Sequence, residues 1–317
     1  MLWQIGPECI EMLKALLINL SEKQSLRHFA EHSPLGRKLS RRFVAGLTID
    51  ELIVAVEEMN RRGIRVSIDH LGENVTSREE AVATADGYHQ LLDEIDRRKL
   101  DSNVSLKLTQ MGLDQDPDLT CRLMAELLEH AVRINNFLRI DMEGSAYTDR
   151  TLQITRELHR RPGATGHVGT VLQAYLRRTF EDARLLISEG VRIRLCKGAY
   201  LEPEQIAFRA KSEVDDNYRR LVRLLLKSGT FHGLATHDEA IIDDTIAWAR
   251  AEGIGSSCFE FQMLYGIRRD LQEKLVDEGW GVRVYIPFGT EWYPYFMRRL
   301  AERPANLWFI VKNALRR

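Results

Sequence analysis

Eight short runs rich in Val, Ile, Leu and Phe, each followed by a segment of helical period, constrain this chain more than any other feature. They read "RVSIDHLG" (65–72), "NVSLKLTQ" (103–110), "FLRIDMEG" (137–144), "TGHVGTVLQ" (165–173), "VRIRLCKG" (191–198), "HGLATHD" (232–238), "CFEFQML" (258–264) and "VRVYIPFG" (282–289). Parallel strands need long crossover connections, and these are right-handed, so the alternation predicts a parallel sheet built from repeated βα units. Eight such strands close a barrel. A doubly wound open sheet is the competing architecture, and its glycine-rich dinucleotide fingerprint should follow an early strand. Here "GATGHVG" (163–169) has the wrong first spacing, and "GIGSSC" (253–258) enters a strand instead of leaving one. The expected fold is α/β: a (β/α)8 TIM-like barrel over residues 63–317, preceded by an N-terminal helical segment over residues 1–62. That segment closes with "TIDELIVAVEEMNRRG", where Thr48 or Asp50 can cap the last helix and Gly63 can stop it.

In a parallel barrel the βα loops open onto the face where strands end, and functional side chains gather there. The polar residues late in these strands are Asp69, Lys107, Asp141, Gln173, Arg194 with Lys197, His237, Gln262 and Tyr285. Polar residues are unusual in strands buried on both sides, so their convergence marks a candidate site. The rest of the chain narrows the chemistry. A net charge of -1 gives no electrostatic footprint for nucleic acid. No HExxH pattern occurs, and His28 and His32 sit in the helical lead-in with no acidic partner of a known metal pattern, so no metal is expected. GxSxG and GxxxxGK[ST] motifs are missing as well, which removes support for serine hydrolysis and P-loop phosphoryl transfer. A Schiff base on Lys107 or Lys197 stays open. The four cysteines are far apart, form no CxxC, and are expected to be reduced, buried thiols of a cytoplasmic protein. The N-terminal "MLWQIGPECIEMLKALLINL" lacks an early basic cluster and is broken by Glu11 and Lys14, so an amphipathic helix packed on the main body is expected there.

Arg298 and Arg299, in "YFMRRLAER" (295–303), raise a separate question. Arg-Arg pairs also start at 41, 61, 97, 160, 177, 219, 268 and 316, and such pairs on helices are ordinarily a solvated face. What distinguishes this one is position. It follows the eighth strand at the start of a helix with Pro294 near its first turn and Glu302 one turn beyond Arg298. Two guanidiniums above a barrel mouth, near Tyr285, Tyr293 and Tyr295 and with Lys107 opposite, would receive a small carboxylate. A surface ion pair with Glu302 is the competing reading.

Taken together, "SLKLTQMG", "RIDMEGS", "RIRLCKGAYLEP", "LATHDE" and "VRVYIPFGTEWYPYFMRRLAERPANL" resemble proline dehydrogenase, the flavin enzyme family that oxidises L-proline to Δ1-pyrroline-5-carboxylate. The resemblance runs in order through residues 65 to 313, and residues 1–62 resemble the helical lead-in of the monofunctional bacterial forms. It implies that Arg298 and Arg299 hold the substrate carboxylate with Lys107 assisting. Tyr285 would lie against the five-membered ring, with Leu264 and Tyr200 completing the pocket. Relatives that prefer hydroxyproline carry a smaller residue at the tyrosine position, so Tyr285 implies proline as the substrate. Asp141 and Glu302 would orient and balance the cationic groups.

For FAD the resemblance implies Met142, Gln173, Arg194, Lys197, Gly198, Ala199, Thr236 and His237, with Arg194 beside the flavin N5 edge. It also implies hydride transfer from proline to N5, with Asp141 and Arg194 as the catalytic pair, and Glu73 as a gate that pairs with Arg299 over bound proline. Leu201 stands where some relatives carry an aromatic. Electrons are expected to pass to a membrane quinone through transient peripheral contact at the inner face of the membrane. The product would pass to a separate pyrroline-5-carboxylate dehydrogenase, since no partner aldehyde dehydrogenase domain is expected in this chain. Two other readings stay open: a barrel flavoprotein resembling methylenetetrahydrofolate reductase, and a barrel that binds a small acid without catalysis.

Overall fold

The computed structural model describes residue 33 and residues 43–72 and 75–302, with residues 298–302 seen through their helical backbone alone. The expected helices before residue 43, with Cys9, His28 and His32, lie outside the described residues, as does Glu73. Within them the chain runs α1 (Ile49–Arg61), β1 (Arg65–His70), α2 (Arg78–Arg98), β2 (Ser102–Leu106), α3 (Pro117–Arg133), β3 (Leu138–Ile140), α4 (Thr148–His159), β4 (Val168–Gln173) and α5 (Thr179–Ser188). It continues β5 (Arg192–Cys196), α6 (Lys211–Leu226), β6 (His232–Ala235), α7 (Glu239–Ala251), β7 (Phe259–Leu264), α8 (Arg269–Asp277), β8 (Val282–Phe288) and α9 (Trp292–Glu302). Every expected run contributes a strand. The strands are parallel and close in sequence order, with β8 pairing β1 from Arg65↔Arg283 to His70↔Phe288.

Local chemistry explains the entry to the barrel. Between the two caps that the sequence offers, Thr48 is the one used: its hydroxyl accepts the Glu51 amide of α1, while Asp50 lies in the first turn. Leu52, Ile53, Val56 and Met59 form the buried stripe of that helix, which packs on β1 and β8. At its end the amides of Gly63 and Ile64 bond to the carbonyls of Asn60 and Met59, turning the chain into β1.

The strands alternate with period two, and both faces are buried for different reasons. Outward residues such as Val66, Ile68, Val104, Leu106, Ile193, Leu195, Phe259, Phe261, Val284 and Ile286 are buried in one apolar core shared with the helices. Each such side chain contributes about 1.5–3 kcal/mol by leaving water. Barrel interiors are ordinarily filled by branched apolar side chains. Here many of the inward positions are polar, from floor to mouth. Near the floor Arg283 Nε donates to Glu260 at 2.5 Å and its Nη1 to Asn103 Oδ1 at 2.9 Å. Arg139 donates to the carbonyls of Thr170 (2.7 Å) and Arg192 (2.8 Å). A second apolar cluster lies over the mouth, where Phe43, Val44 and Leu71 pack with Trp292, Tyr293, Tyr295, Phe296 and Met297 of α9.

Buried His232 makes the wall acid-sensitive. Its Nδ1 accepts the Ile193 amide at 3.1 Å, and its Nε2 meets Ser228 Oγ at 2.9 Å. Burial, with Arg139 and Arg192 nearby, pushes its pKa down from 6.5 to about 3. The unfolded chain therefore takes up this proton first, so the contribution to stability is whole above pH 6.5 and is lost as the pH falls toward 3. Between pH 6.5 and 5 the expected loss is about 2 kcal/mol. Urea midpoints at the two pH values measure it. His232→Gln, which keeps an acceptor and a donor, should flatten that slope, and an unchanged slope would remove His232 as the source.

The cysteines depart from expectation. Among those described, Cys258 is exposed and Cys121 and Cys196 are only partly buried. Cys258 precedes β7 instead of forming part of it, so the apolar run that follows does not carry it inward.

Candidate active site

The mouth is organised by one guanidinium. Arg194, on the inner face of β5, crosses the barrel and is almost wholly buried. Its Nη1 donates to Asp141 Oδ1 (2.8 Å) and Ser105 Oγ (3.1 Å), its Nη2 to Ser67 Oγ (2.8 Å), and its Nε to Gln262 Oε1 (2.5 Å). Ser105 Oγ also donates to Asp141 Oδ1 at 2.7 Å. Strands β1, β2 and β7 and the residue just past β3 thus hold one planar fork, as a fixed cation in a site of low dielectric requires.

One layer higher, Asp69 collects donors. Lys107 Nζ donates to its Oδ2 at 3.2 Å, Tyr88 Oη donates toward its Oδ1 at 3.4 Å, and the Tyr285 hydroxyl makes a short bond to Oδ2. Tyr285 Oη also lies 3.3 Å from Asp141 Oδ2, and the Arg194 guanidinium sits 5.4 Å from the centre of its ring. Burial, and next the charge of Asp69, push the Tyr285 phenol well above its ordinary range, so it stays protonated and acts as a donor. Asp69, Lys107, Asp141, Arg194, Gln262 and Tyr285 therefore form one connected network. It brings together six of the strand-end residues that the sequence singles out.

The other strand-end residues stand around it in separate groups. Gln173 donates to the Glu143 carbonyl at 3.0 Å, and Met142 is buried in the main apolar core. Lys197 bonds Asp215 Oδ1 (2.5 Å) and Asp238 Oδ2 (2.9 Å). Lys197, and then Lys211, hold Asp238 below the usual carboxylate range. His237 Nε2 accepts the Leu264 amide at 2.9 Å, and Thr236 Oγ1 accepts the Asp238 amide at 3.1 Å. Gly198 has φ +122°, and a Cβ there would fall 2.2 Å from the Tyr175 ring. Its loop, which carries Ala199, is tied down by Phe208 N to Tyr175 O (2.8 Å) and by Glu202, which accepts from Ser145 N and Oγ at 2.6 Å each. On this loop Tyr200 is 40% exposed and Leu201 76% exposed.

This arrangement can be set beside known proteins. Residues 52–312 match the family model described as proline dehydrogenase. The chain belongs to the proline dehydrogenase family. It is 42% identical over 278 residues to Proline dehydrogenase 2 of Bacillus subtilis, covering 88% of this chain and 91% of that protein. It is 41% identical over 309 residues to the proline dehydrogenase of Deinococcus radiodurans, covering 96% and 99%. These likenesses place it with the monofunctional bacterial form. Among solved structures, the proline utilization A protein of Bdellovibrio bacteriovorus, crystallised after inactivation by N-propargylglycine, shares the fold with a TM-score of 0.80 at 24% identity. The match covers 92% of this chain and 36% of that one, so the chain spans about a third of its length.

Arg298, Arg299 and Glu302, which the resemblance to proline dehydrogenases assigns to the substrate, fall on the last turns of α9, and their side chains are outside the described residues. Pro294 does lie in the first turn of that helix, as expected. The residues not assigned in advance are Ser67, Ser105, Glu260 and, in the role found here, Asp69 and Gln262. Their signal was present in the period-two alternation, which puts all of them on the inner face, but a serine in a strand carries no mark of what it will bond.

Proposed function

We propose that this proline dehydrogenase oxidises L-proline to Δ1-pyrroline-5-carboxylate with FAD as cofactor, as the first step of proline catabolism. Membership of the family makes it an oxidoreductase acting on a CH–NH donor. The single observation that supports the FAD reading best is the Arg194 fork, a cation locked by four side chains at the barrel mouth. Bound FAD would supply the hydride acceptor, at N5.

The donor set fits such a group. Arg194 offers a fixed positive charge that favours electron uptake by a neighbouring ring system. Gln173, Lys197, Thr236 and His237 supply polar contacts around the rim, Met142 an apolar one, and Gly198 and Ala199 a backbone without bulk. Gly198→Ala tests that cradle. The added methyl must displace Tyr175 or the loop at a φ of +122°, so FAD affinity is expected to fall by about tenfold or more, for a strain of about 1–3 kcal/mol. Titration of the apoprotein with FAD measures it, and an unchanged Kd would take Gly198 out of the cofactor site.

For the substrate, Arg298, Arg299 and Lys107 would hold the carboxylate, while Tyr285, Leu264 and Tyr200 enclose the ring. Asp141 acts through Arg194, keeping its guanidinium in one orientation. Fixing the substrate this way can remove up to about 7–11 kcal/mol of barrier in the best intramolecular cases. Proline must lose its ring-amine proton before it gives up hydride. Electrons would then leave to a membrane quinone. We propose that this contact is peripheral and transient; among the described residues no helix is long and apolar enough to cross a membrane. A separate pyrroline-5-carboxylate dehydrogenase would take the product.

The test is an anaerobic absorbance spectrum of the purified protein before and after L-proline. A flavin band that bleaches with proline and not with hydroxyproline is the expected result. A flavin that proline leaves unbleached points to another barrel flavoprotein, and a protein that stays colourless when given FAD refutes the cofactor assignment.

A further inference from the structure

We propose that Glu260, buried on the inner face of β7 two positions before Gln262, is a positioning residue that sets the orientation of the Arg194 guanidinium through Gln262. The proposal rests on the reading above that Arg194 faces the cofactor. Glu260 is 2% exposed. Its Oε1 accepts from Arg283 Nε at 2.5 Å and from Gln262 Nε2 at 2.7 Å, and its Oε2 accepts from Arg65 Nη1 at 3.2 Å. Gln262 then presents Oε1 to Arg194 Nε at 2.5 Å.

The two ends of this relay leave the amide one choice. A carboxylate can only accept and a guanidinium can only donate. With Nε2 toward Glu260 and Oε1 toward Arg194, both are satisfied. A flipped amide would set donor against donor and acceptor against acceptor in a buried site, at the cost of two unmade bonds. Glu260 itself is anchored by Arg283 and Arg65. Burial works to raise its pKa, but Arg283 and the Gln262 bond outweigh that and hold it below the usual range, so it remains a charged acceptor.

A second observation points the same way. Gly233 of β6 lies in register between Arg194 and Glu260. A Cβ at this position would fall 2.3 Å from Gln262 Nε2. Only glycine leaves the gap across which the amide bridges the two strands. The relay is thus built into the backbone as well as into the side chains.

Glu260→Gln and Gly233→Ala test this from opposite sides, the first by removing the charge, the second by crowding the amide with every charged group retained. Each is measured in the FAD-loaded protein for kcat, for KM with proline and for the midpoint potential of the flavin. The expected result for each is a kcat lower by about tenfold with KM changed less than about twofold, the effect of one misplaced charge-assisted bond. The potential should fall by about 30 mV, the same tenfold expressed for a two-electron couple. A merely structural loss would lower stability without moving the potential. If Arg194→Met moves the potential and neither of the two variants does, the relay is wrong while the reading of Arg194 stands. An Arg194→Met protein with unchanged potential overturns both. Should Glu260→Gln fail to fold, Gly233→Ala decides the question alone.

Discussion

Arg194→Met is expected to lower turnover with proline by about 10²–10³-fold, the range found when one preorganised electrostatic donor is removed. Proline binding should suffer less, because the carboxylate is assigned to other residues. The same change removes four hydrogen bonds at once, leaving the buried Gln262 Oε1 without its guanidinium donor and Asp141 without its cation, with only the Ser105 and Tyr285 hydroxyls against it among the described residues. Breaking a buried pair from one side costs about 3–5 kcal/mol, so a lower urea midpoint should accompany the kinetic loss. Arg194→Lys separates the two effects. An ammonium keeps the charge but cannot reach Ser67, Asp141 and Gln262 with one plane, so its turnover should lie between those of the parent and the Met variant. Rapid-reaction kinetics on protein of equal FAD content are the measurement. Parent-like rates in Arg194→Met would end the assignment of this residue to the redox step.

The second large effect is expected at the carboxylate clamp. Arg298→Met should raise KM for proline by about 10–100-fold with FAD content unchanged, since a charge-assisted bond to a carboxylate contributes about 1.5–3 kcal/mol. The other Arg-Arg pairs provide controls from the same molecule. Among the described residues several meet acids on surface helices or at their ends: Arg97 with Glu94, Arg160 with Glu189, Arg178 with Asp182 and Arg268 with Asp270. Such pairs contribute little, and Arg97→Met should leave both kinetic constants where they were. Steady-state kinetics over a wide proline range distinguish the two variants. Equal KM values for Arg298→Met and Arg97→Met would return Arg298 to the solvated face.

Both predictions show what the chain makes legible and what it hides. The eight β-rich runs, the helices between them, the Thr48 cap and the turn at Gly63 are local matters. Period, capping residues and turn residues act over a few positions, so a linear reading finds them. The polar residues late in the strands were legible for the same reason, because alternation fixes which face each one takes. Family membership was also visible in linear motifs, and the comparisons bear it out.

What the alternation does not contain is distance. Arg194 and Ser67 are 127 positions apart, yet their side chains meet at 2.8 Å because the barrel closes. That Arg194 turns toward Asp141 and Gln262, that Lys107 and Tyr285 share Asp69, and that Lys197 leaves this network for Asp215 and Asp238 follow from rotamers chosen inside a closed space. The charged floor of Arg283, Glu260 and Arg139 belongs to the same class: each looks like an isolated polar residue in a strand, and only closure supplies its partners. The sequence by itself determined the strands, their order and the face each side chain occupies, because those depend on backbone geometry over a few residues. The tertiary structure alone decided which of those side chains touch, because buried polar groups must be satisfied by whatever closure brings within reach.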